Sequence, residues 1–300
     1  MSVSVVRCAG LAFSALILAA PSLVESAPLK MVMLSKGQSP RARLRIRPPV
    51  GLTQTVVITT SQKMSMNMGG MALPQRDLPP TKVTIALKVL SVENGRIRAS
   101  FDTVDVGVEE TAGLPPGMAA SLRASIMPLK NLKGVIELND RGQVLSSDMP
   151  LQAIPNDQQA ILKDFNQNLT RLVVPLPEEP VGIGASWKVI DTPQKMGVPI
   201  TQEVVFTLTQ RAGENIELST EAIMTVAGGD ISMPNMPPGI KTKTKPTKST
   251  GRGQAQVDLT KLSGQGKVDM NVDFAMVMDQ GGQSETMSMG LQMKMRIDSK

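Results

Sequence analysis

The sequence predicts a mainly β protein: a curved antiparallel sheet or incomplete barrel with one or two covering helices. Three observations predict it. Apolar and polar residues alternate over long stretches, the period of half-buried strands. These stretches come in pairs joined by short turns rich in Gly and Asn, as in hairpins. Only two segments carry the three-to-four-residue apolar spacing of an amphipathic helix.

Residues 1–26 read as a secretory signal peptide. Arg7 supplies the positive start, Cys8 to Ala20 the apolar run, and Pro21 breaks it. Val24-Glu25-Ser26 fits a cleavage site with Val at −3 and Ser at −1; Ser22 and Ala27 are the alternatives. The run is shorter than the ~20 residues a membrane span requires, and no second stretch is long and apolar enough. Cys8 precedes the apolar run rather than following it, which argues against acylation there. Residues 27–300 then read as one exported β-rich domain, periplasmic or extracellular.

Next in order, Arg41, Arg43, Arg45 and Arg47 alternate with Ala42, Leu44 and Ile46, a strand with a charged outer face. Leu73–Pro80 reads as a Pro-rich loop or crossing. In 82–92, Val83, Ile85, Leu87 and Val89 share a face; Glu93-Asn94-Gly95 turns the chain, and Ile97, Ala99 and Phe101 return. A short helix is expected over Gly117 to Met127, with Met118, Leu122 and Ile126 aligned. Strands at 134–138 and 143–146 flank the turn Asn139 to Gly142. Asn156 caps a second helix in capping-box order with Gln159; Ile161, Phe165, Leu169 and Leu172 form its stripe, and Pro175 and Pro177 end it.

In the second half, Val204, Phe206 and Leu208 alternate, Ala212-Gly213 turns, and Ile216, Leu218, Ala222 and Met224 return. Met233–Pro238 reads as a loop, as does the Lys/Thr-rich run from Lys241 to Gly253; a strand is expected at 255–259. The last hairpin is the clearest. Val268, Met270, Val272, Phe274, Met276 and Met278 occupy one face, 279–282 turns, and Met287, Met289, Leu291, Met293, Met295 and Ile297 line the return. Shifting hairpin 82–106 by 119 positions places Ile85, Leu87, Val89 and Ile97 on Val204, Phe206, Leu208 and Ile216. That suggests a duplicated unit, about 40–150 and 180–300, or simply the shared look of two amphipathic hairpins.

Composition removes most chemistry. The chain has 21 Met, no His, no Tyr, one Trp, five Phe and one Cys, which lies in the leader. Without His there is no ordinary general base near neutral pH, no Ser-His-Asp or Cys-His arrangement and no Cys/His zinc site; the mature chain forms no internal disulfide. Glu109-Glu110 and Glu178-Glu179 are adjacent loop pairs, and a sugar groove would need aromatic walls. Gly182, Gly184, Gly251 and Gly253 read as turn glycines without phosphate-loop spacing. The Asn168–Thr170 sequon falls inside the second helix and reads as inert. A transmembrane barrel would need aromatic girdles that Trp187 alone cannot supply. The reading is therefore no enzyme and no cofactor. Net charge is +6, gathered at Arg41–Arg47 and at Lys241, Lys243, Lys245, Lys248 and Arg252. Charge runs of this kind are usually solvated faces, and nucleic-acid binding is excluded for want of stacking aromatics.

Met64, Met66, Met68 and Met71 form the sharpest local feature. Thioethers select Cu(I), with the strand methionines and Met233 and Met236 as further ligands. Against this, Met64, Met66 and Met68 share parity with Val56 and Ile58, so they also extend an apolar face. A third reading makes the Met-rich faces a surface for lipid acyl chains.

The segment Pro180 to Val189, PVGIGASWKV, resembles one that recurs in exported bacterial proteins classed as domains of unknown function. Asp140-Arg141-Gly142-Gln143-Val144 resembles the Asp-x-Gly-x-Val strand turn they share. More distantly, the layout is similar to lipoprotein carriers with an incomplete barrel and helical lid. What the resemblance implies is an exported β protein with no assigned activity. The expectation is a non-enzymatic envelope protein binding lipid or another apolar ligand; the alternative is a Cu(I)-binding or oxidation-buffering one.

Overall fold

The computed structural model describes residues 29–109, 117–149, 173–192, 194–195, 198–231, 240–280 and 283–300, together with Leu162, Phe165 and Leu169. The signal segment, Met233, Met236, Asn168 and most of the second expected helix lie outside these residues.

The alternating stretches pair into one antiparallel sheet that does not close. Its strands are β1 (Lys30–Ser35), β2 (Thr53–Met68), β3 (Met71–Glu93), β4 (Arg96–Val108), β5 (Lys133–Asn139), β6 (Val144–Asp148), β7 (Ser186–Asp191), β8 (Gln194–Lys195), β9 (Val198–Ala212), β10 (Asn215–Val226), β11 (Gly229–Ile231), β12 (Ile240–Thr244), β13 (Thr247–Asp258), β14 (Gln265–Gln280) and β15 (Gln283–Ser299). The order across the sheet is β1-β7-β9-β10-β13-β14-β15-β2-β3-β4-β5-β6, with β8, β11 and β12 as side additions. The last strand lies in the middle, where β15 pairs with β2, while β1 lies at an edge against β7.

Helix α1 (Met118–Ile126) packs against β4. Ile126 is buried, and Leu122 and Ala119 pack on the core. Leu162, Phe165 and Leu169 are helical and buried; Phe165 meets Phe101 with ring centroids 6.3 Å apart. Phe165 and Leu169 are two members of the predicted stripe. The core is one cluster that draws on both halves of the chain, from Leu44 and Ile85 to Leu218 and Leu259.

Pairings in the two halves recur 119 residues apart. Val89 faces Ala99 and Leu208 faces Leu218. Leu90 and Thr209, also 119 apart, are the unpaired residues of matching bulges. Glu137 faces Arg98 and Ser146, while Gln256 faces Glu217 and Gln265. The turn after β5 begins with Asn139, whose Oδ1 accepts the Arg141 N–H; the turn after β13 begins with Asp258, whose Oδ1 accepts the Thr260 N–H. One extended segment reaches both turns: Ile46 N–H donates to the Asp140 carbonyl and Arg47 N–H to that of Leu259, each at 2.7 Å.

Four expectations are corrected. Residues 73–80 are not a loop but the outer part of β3, an edge paired only to β2 there. Its register slips between Met64 and Met66 of β2, opposite Pro74, and between Thr60 and Gln62, opposite Pro79 and Pro80. Bulges at an edge are where a strand tolerates proline, which has no N–H to give. The Lys/Thr run is not a loop either. It forms β12 and the start of β13, with Thr242, Thr244 and Ser249 buried and Lys243, Lys245 and Lys248 exposed. Two-residue alternation of Thr and Lys makes a strand with one wet face. Gly251 and Gly253 are strand positions accordingly; a Cβ on Gly253 would lie 2.6 Å from the Lys267 carbonyl. Finally, Arg41–Arg47 is extended, with Leu44 and Ile46 buried, but makes only the single bridge of Ala42 to Val181, and Ala42 is exposed. Arg45 is not on an outer face. Its side chain is 11% exposed, bonded to the Pro177 and Glu178 carbonyls and 3.4 Å from Asp140. Burial, first among the causes, holds its pKa below the ordinary value, though an arginine stays charged.

Candidate functional site

The site is built from the ladders β14-β15 and β15-β2, neither of which contains a bulge. In an antiparallel ladder, directly opposed residues project to the same face. Across β2, β15 and β14 the rows read Ile58, Ile297, Gly266; then Thr60, Met295, Val268; Gln62, Met293, Met270; Met64, Leu291, Val272; Met66, Met289, Phe274; and Met68, Met287, Met276. The opposite face carries Lys63, Gln292 and Asn271, then Ser61, Lys294 and Asp269, then Thr59, Arg296 and Lys267. The ribbon is therefore amphipathic across three strands.

From row 58 to row 68 the apolar face runs about 34 Å, at ~3.4 Å per residue. Its lower end joins the core through Ile58 and Ile297. Higher up it leaves the main core. Met64, Met66, Met68, Val268, Met270, Val272, Phe274, Met289, Leu291, Met293 and Met295 are all only partly buried. At the far end Met276 and Met287 are buried, and Met276 opposes Thr244 of β12, which pairs with β14 there.

The four methionines singled out from sequence are thus separated by environment. Met64, Met66 and Met68 project together and are partly buried, whereas Met71, opposed to Met68 past the Gly69-Gly70 turn, is 74% exposed. Met68 faces Met71 on one side and Met287 on the other; Met66 faces Leu73 and Met289; Met64 faces Arg76 and Leu291. Sequence spacing identified Met66 and Met68 but gave no means of placing Met287 and Met289 beside them, because strand register across 220 residues is not local information.

Two clefts, of about 330 and 580 Å³, lie at the lower end of the ribbon, the first against Ile297 and Gly266 and the second against Thr53 and Thr55 of β2. Thr209, Glu217, Gln254 and Lys267 help line the first; Thr53, Lys88, Lys133 and Lys300 help line the second. Neither touches a methionine of the ribbon. Among the described residues no group of three or more acidic, His or Cys side chains is gathered as for a metal, and no helix is long and apolar enough to cross a membrane. The glycine-rich segment before Trp187 belongs to the scaffold. A Cβ on Gly182 would lie 1.7 Å from the Gln38 carbonyl. Trp187 is fully buried, donates Nε1–H to the Pro175 carbonyl at 2.9 Å and stacks on Phe206.

No known protein family and no curated protein matches the chain. Among solved structures it is similar to an outer membrane channel from Pseudomonas putida F1. The identity is 8% over 85% of this chain and 98% of that one, with a TM-score of 0.18, too low to carry an argument.

Proposed function

We propose that this chain is a non-enzymatic exported protein of the bacterial envelope that holds a lipid acyl chain against the apolar face of the β2-β15-β14 ribbon. The observation that carries the reading is that face: a continuous run of Met, Val, Leu and Phe, partly buried, outside the main core. Contiguous apolar faces left outside the main core mark binding surfaces when part of their area stays accessible. Methionine suits the role because its flexible, polarizable thioether adapts to ligands of varied shape. The leader-like residues 1–26 support export. The pairings repeated 119 residues apart support a single domain made from a duplicated four-stranded unit. Its resemblance to exported proteins of unassigned activity accords with the reading.

Native mass spectrometry of protein purified from the envelope fraction tests it. The expected result is an adduct of lipid mass, released by organic solvent and absent from a Leu291→Lys, Met293→Lys variant that keeps its β-sheet circular dichroism. Protein that carries no lipid, and that takes up no fluorescent fatty acid when one is supplied, overturns the reading.

A further inference from the structure

The last two rows of the ribbon differ from the rest. Met68 opposes Met287, and Met66 opposes Met289, so two methionine pairs lie one above the other on the same face. Elsewhere on β2 and β15, a methionine faces Leu291, Gln62 or Thr60, and no two sulfur pairs are stacked. Opposed Cβ atoms in an antiparallel ladder are about 5 Å apart, and residues two apart along a strand are about 7 Å apart. Each Met sulfur lies two bonds beyond its Cβ on a chain with three rotatable bonds. Four such side chains rooted at the corners of that rectangle reach a common point above its centre.

The surroundings fit a soft cation. Phe274 walls the site beside Met289, and Met276, 1% exposed, stands beside Met287 as a fifth sulfur. The chain has no His, and its one Cys lies at position 8, so neither imidazole nor a nearby thiolate competes with the thioethers. Thioether donors favour Cu(I) over divalent first-row metals, which prefer nitrogen and oxygen.

We propose that Met66, Met68, Met287 and Met289 form a Cu(I) site. It excludes two of the methionines that sequence spacing groups with it. Met64 faces Leu291 and Arg76 rather than a second sulfur, and Met71, although opposed to Met68 on the β3 side, stands 74% exposed to water. The site is independent of lipid binding, since delipidated protein retains the four side chains.

Anaerobic titration of delipidated full-length protein with Cu(I), against a chromogenic chelator, tests it. One equivalent should bind, and X-ray absorption at the copper edge should report sulfur as the only near neighbour. The variant Met66→Leu, Met68→Leu, Met287→Leu, Met289→Leu conserves side-chain volume and should lose the equivalent while keeping its sheet. Met293→Leu, Met295→Leu should retain it. Absence of binding to the wild type, nitrogen or oxygen neighbours in its spectrum, or undiminished binding by the fourfold variant each overturns the site. The absorption spectrum needs no variant and decides the matter even where the fourfold variant fails to fold. Lipid uptake without copper uptake overturns this site alone; copper uptake without lipid overturns only the lipid reading.

Discussion

A single buried amide ties the sheet's centre to the turn after β13. Gln54 is 4% exposed, and all of its side-chain polar atoms are engaged. Its Nε2 donates to the Ser263 carbonyl and to Ser299 Oγ, and its Oε1 accepts the N–H groups of Leu262 and Ser263, each at 3.2 Å. Gln54→Leu strands two backbone donors, and a buried unpaired group costs about 1–3 kcal/mol. Urea unfolding should show a loss in that range at unchanged m-value. Sequence held a sign of this: Gln54 is the polar member of a parity set that continues as Val56 and Ile58. It did not show the partner, which is 209 residues away. The turn itself predicts a pH effect. Thr260 Oγ1 donates to Asp258 Oδ1 at 2.7 Å, and this bond, before the others, holds the carboxyl below its ordinary value of 3.8. A carboxyl with a depressed folded pKa stabilises above its unfolded value, and that contribution is lost as pH falls through the lower folded one. Wild type and Asp258→Ala should therefore differ in melting temperature at neutral pH and converge below about pH 3.8. A constant gap down to the acid limit would show that the carboxylate is not the stabilising element.

Outer β3 makes the case for proline as a strand device. Residues 71–77 are all exposed, and the bulges fall beside Pro74 and Pro79-Pro80, with Arg76 and Asp77 between them. An open edge invites another chain to pair, and bulges, prolines and charges blunt it. Pro74→Thr, Pro79→Thr, Pro80→Thr should restore continuous donors along this edge. Dynamic light scattering at rising concentration should report self-association in the variant and none in the wild type; equal behaviour would place the protection elsewhere. Composition alone misreads this segment, because Pro signals a loop on average and edges are the exception. The Lys/Thr run fails for the opposite reason. Its charges look solvated, yet Thr242 and Thr244 are buried, and Thr244 Oγ1 donates to the Ala227 carbonyl. Where apolar alternation is unbroken, as in β14 and β15, pattern and structure agree over the described residues, because parity decides which face is wet.

Across the whole molecule, the order of strands joins what the sequence keeps apart. Units of similar pairing, β3 to β6 and β9-β10-β13-β14, lie on either side of β15 and β2, whose ladder runs from Met68–Met287 to Val56–Ser299. Local patterning made the hairpins β3-β4, β5-β6, β9-β10 and β14-β15 legible, since turn and alternation are neighbours in sequence, but not β2-β3. It left the β15-β2 seam, and with it the stacked methionine pairs, out of reach, because that register is set by packing of the two halves together. The seam has a thermodynamic consequence. Hairpins linked only by a flexible tether unfold separately, whereas a shared core couples them. Here Leu44 and Ile46 lie in one core cluster with Leu138 and Leu259, and their segment bonds the turns of both units. The chain should unfold in one cooperative step. Trp187, the only tryptophan, stands at the far flank between β1 and β9, so its fluorescence reports that flank. Far-ultraviolet circular dichroism reports the entire sheet. Their urea midpoints should coincide, and should remain coincident in Gln54→Leu, with both shifted down together. A fluorescence midpoint that stays in place while the dichroism splits into two steps would show that the halves fold as separate bodies and that β15-β2 is a contact between them rather than a seam.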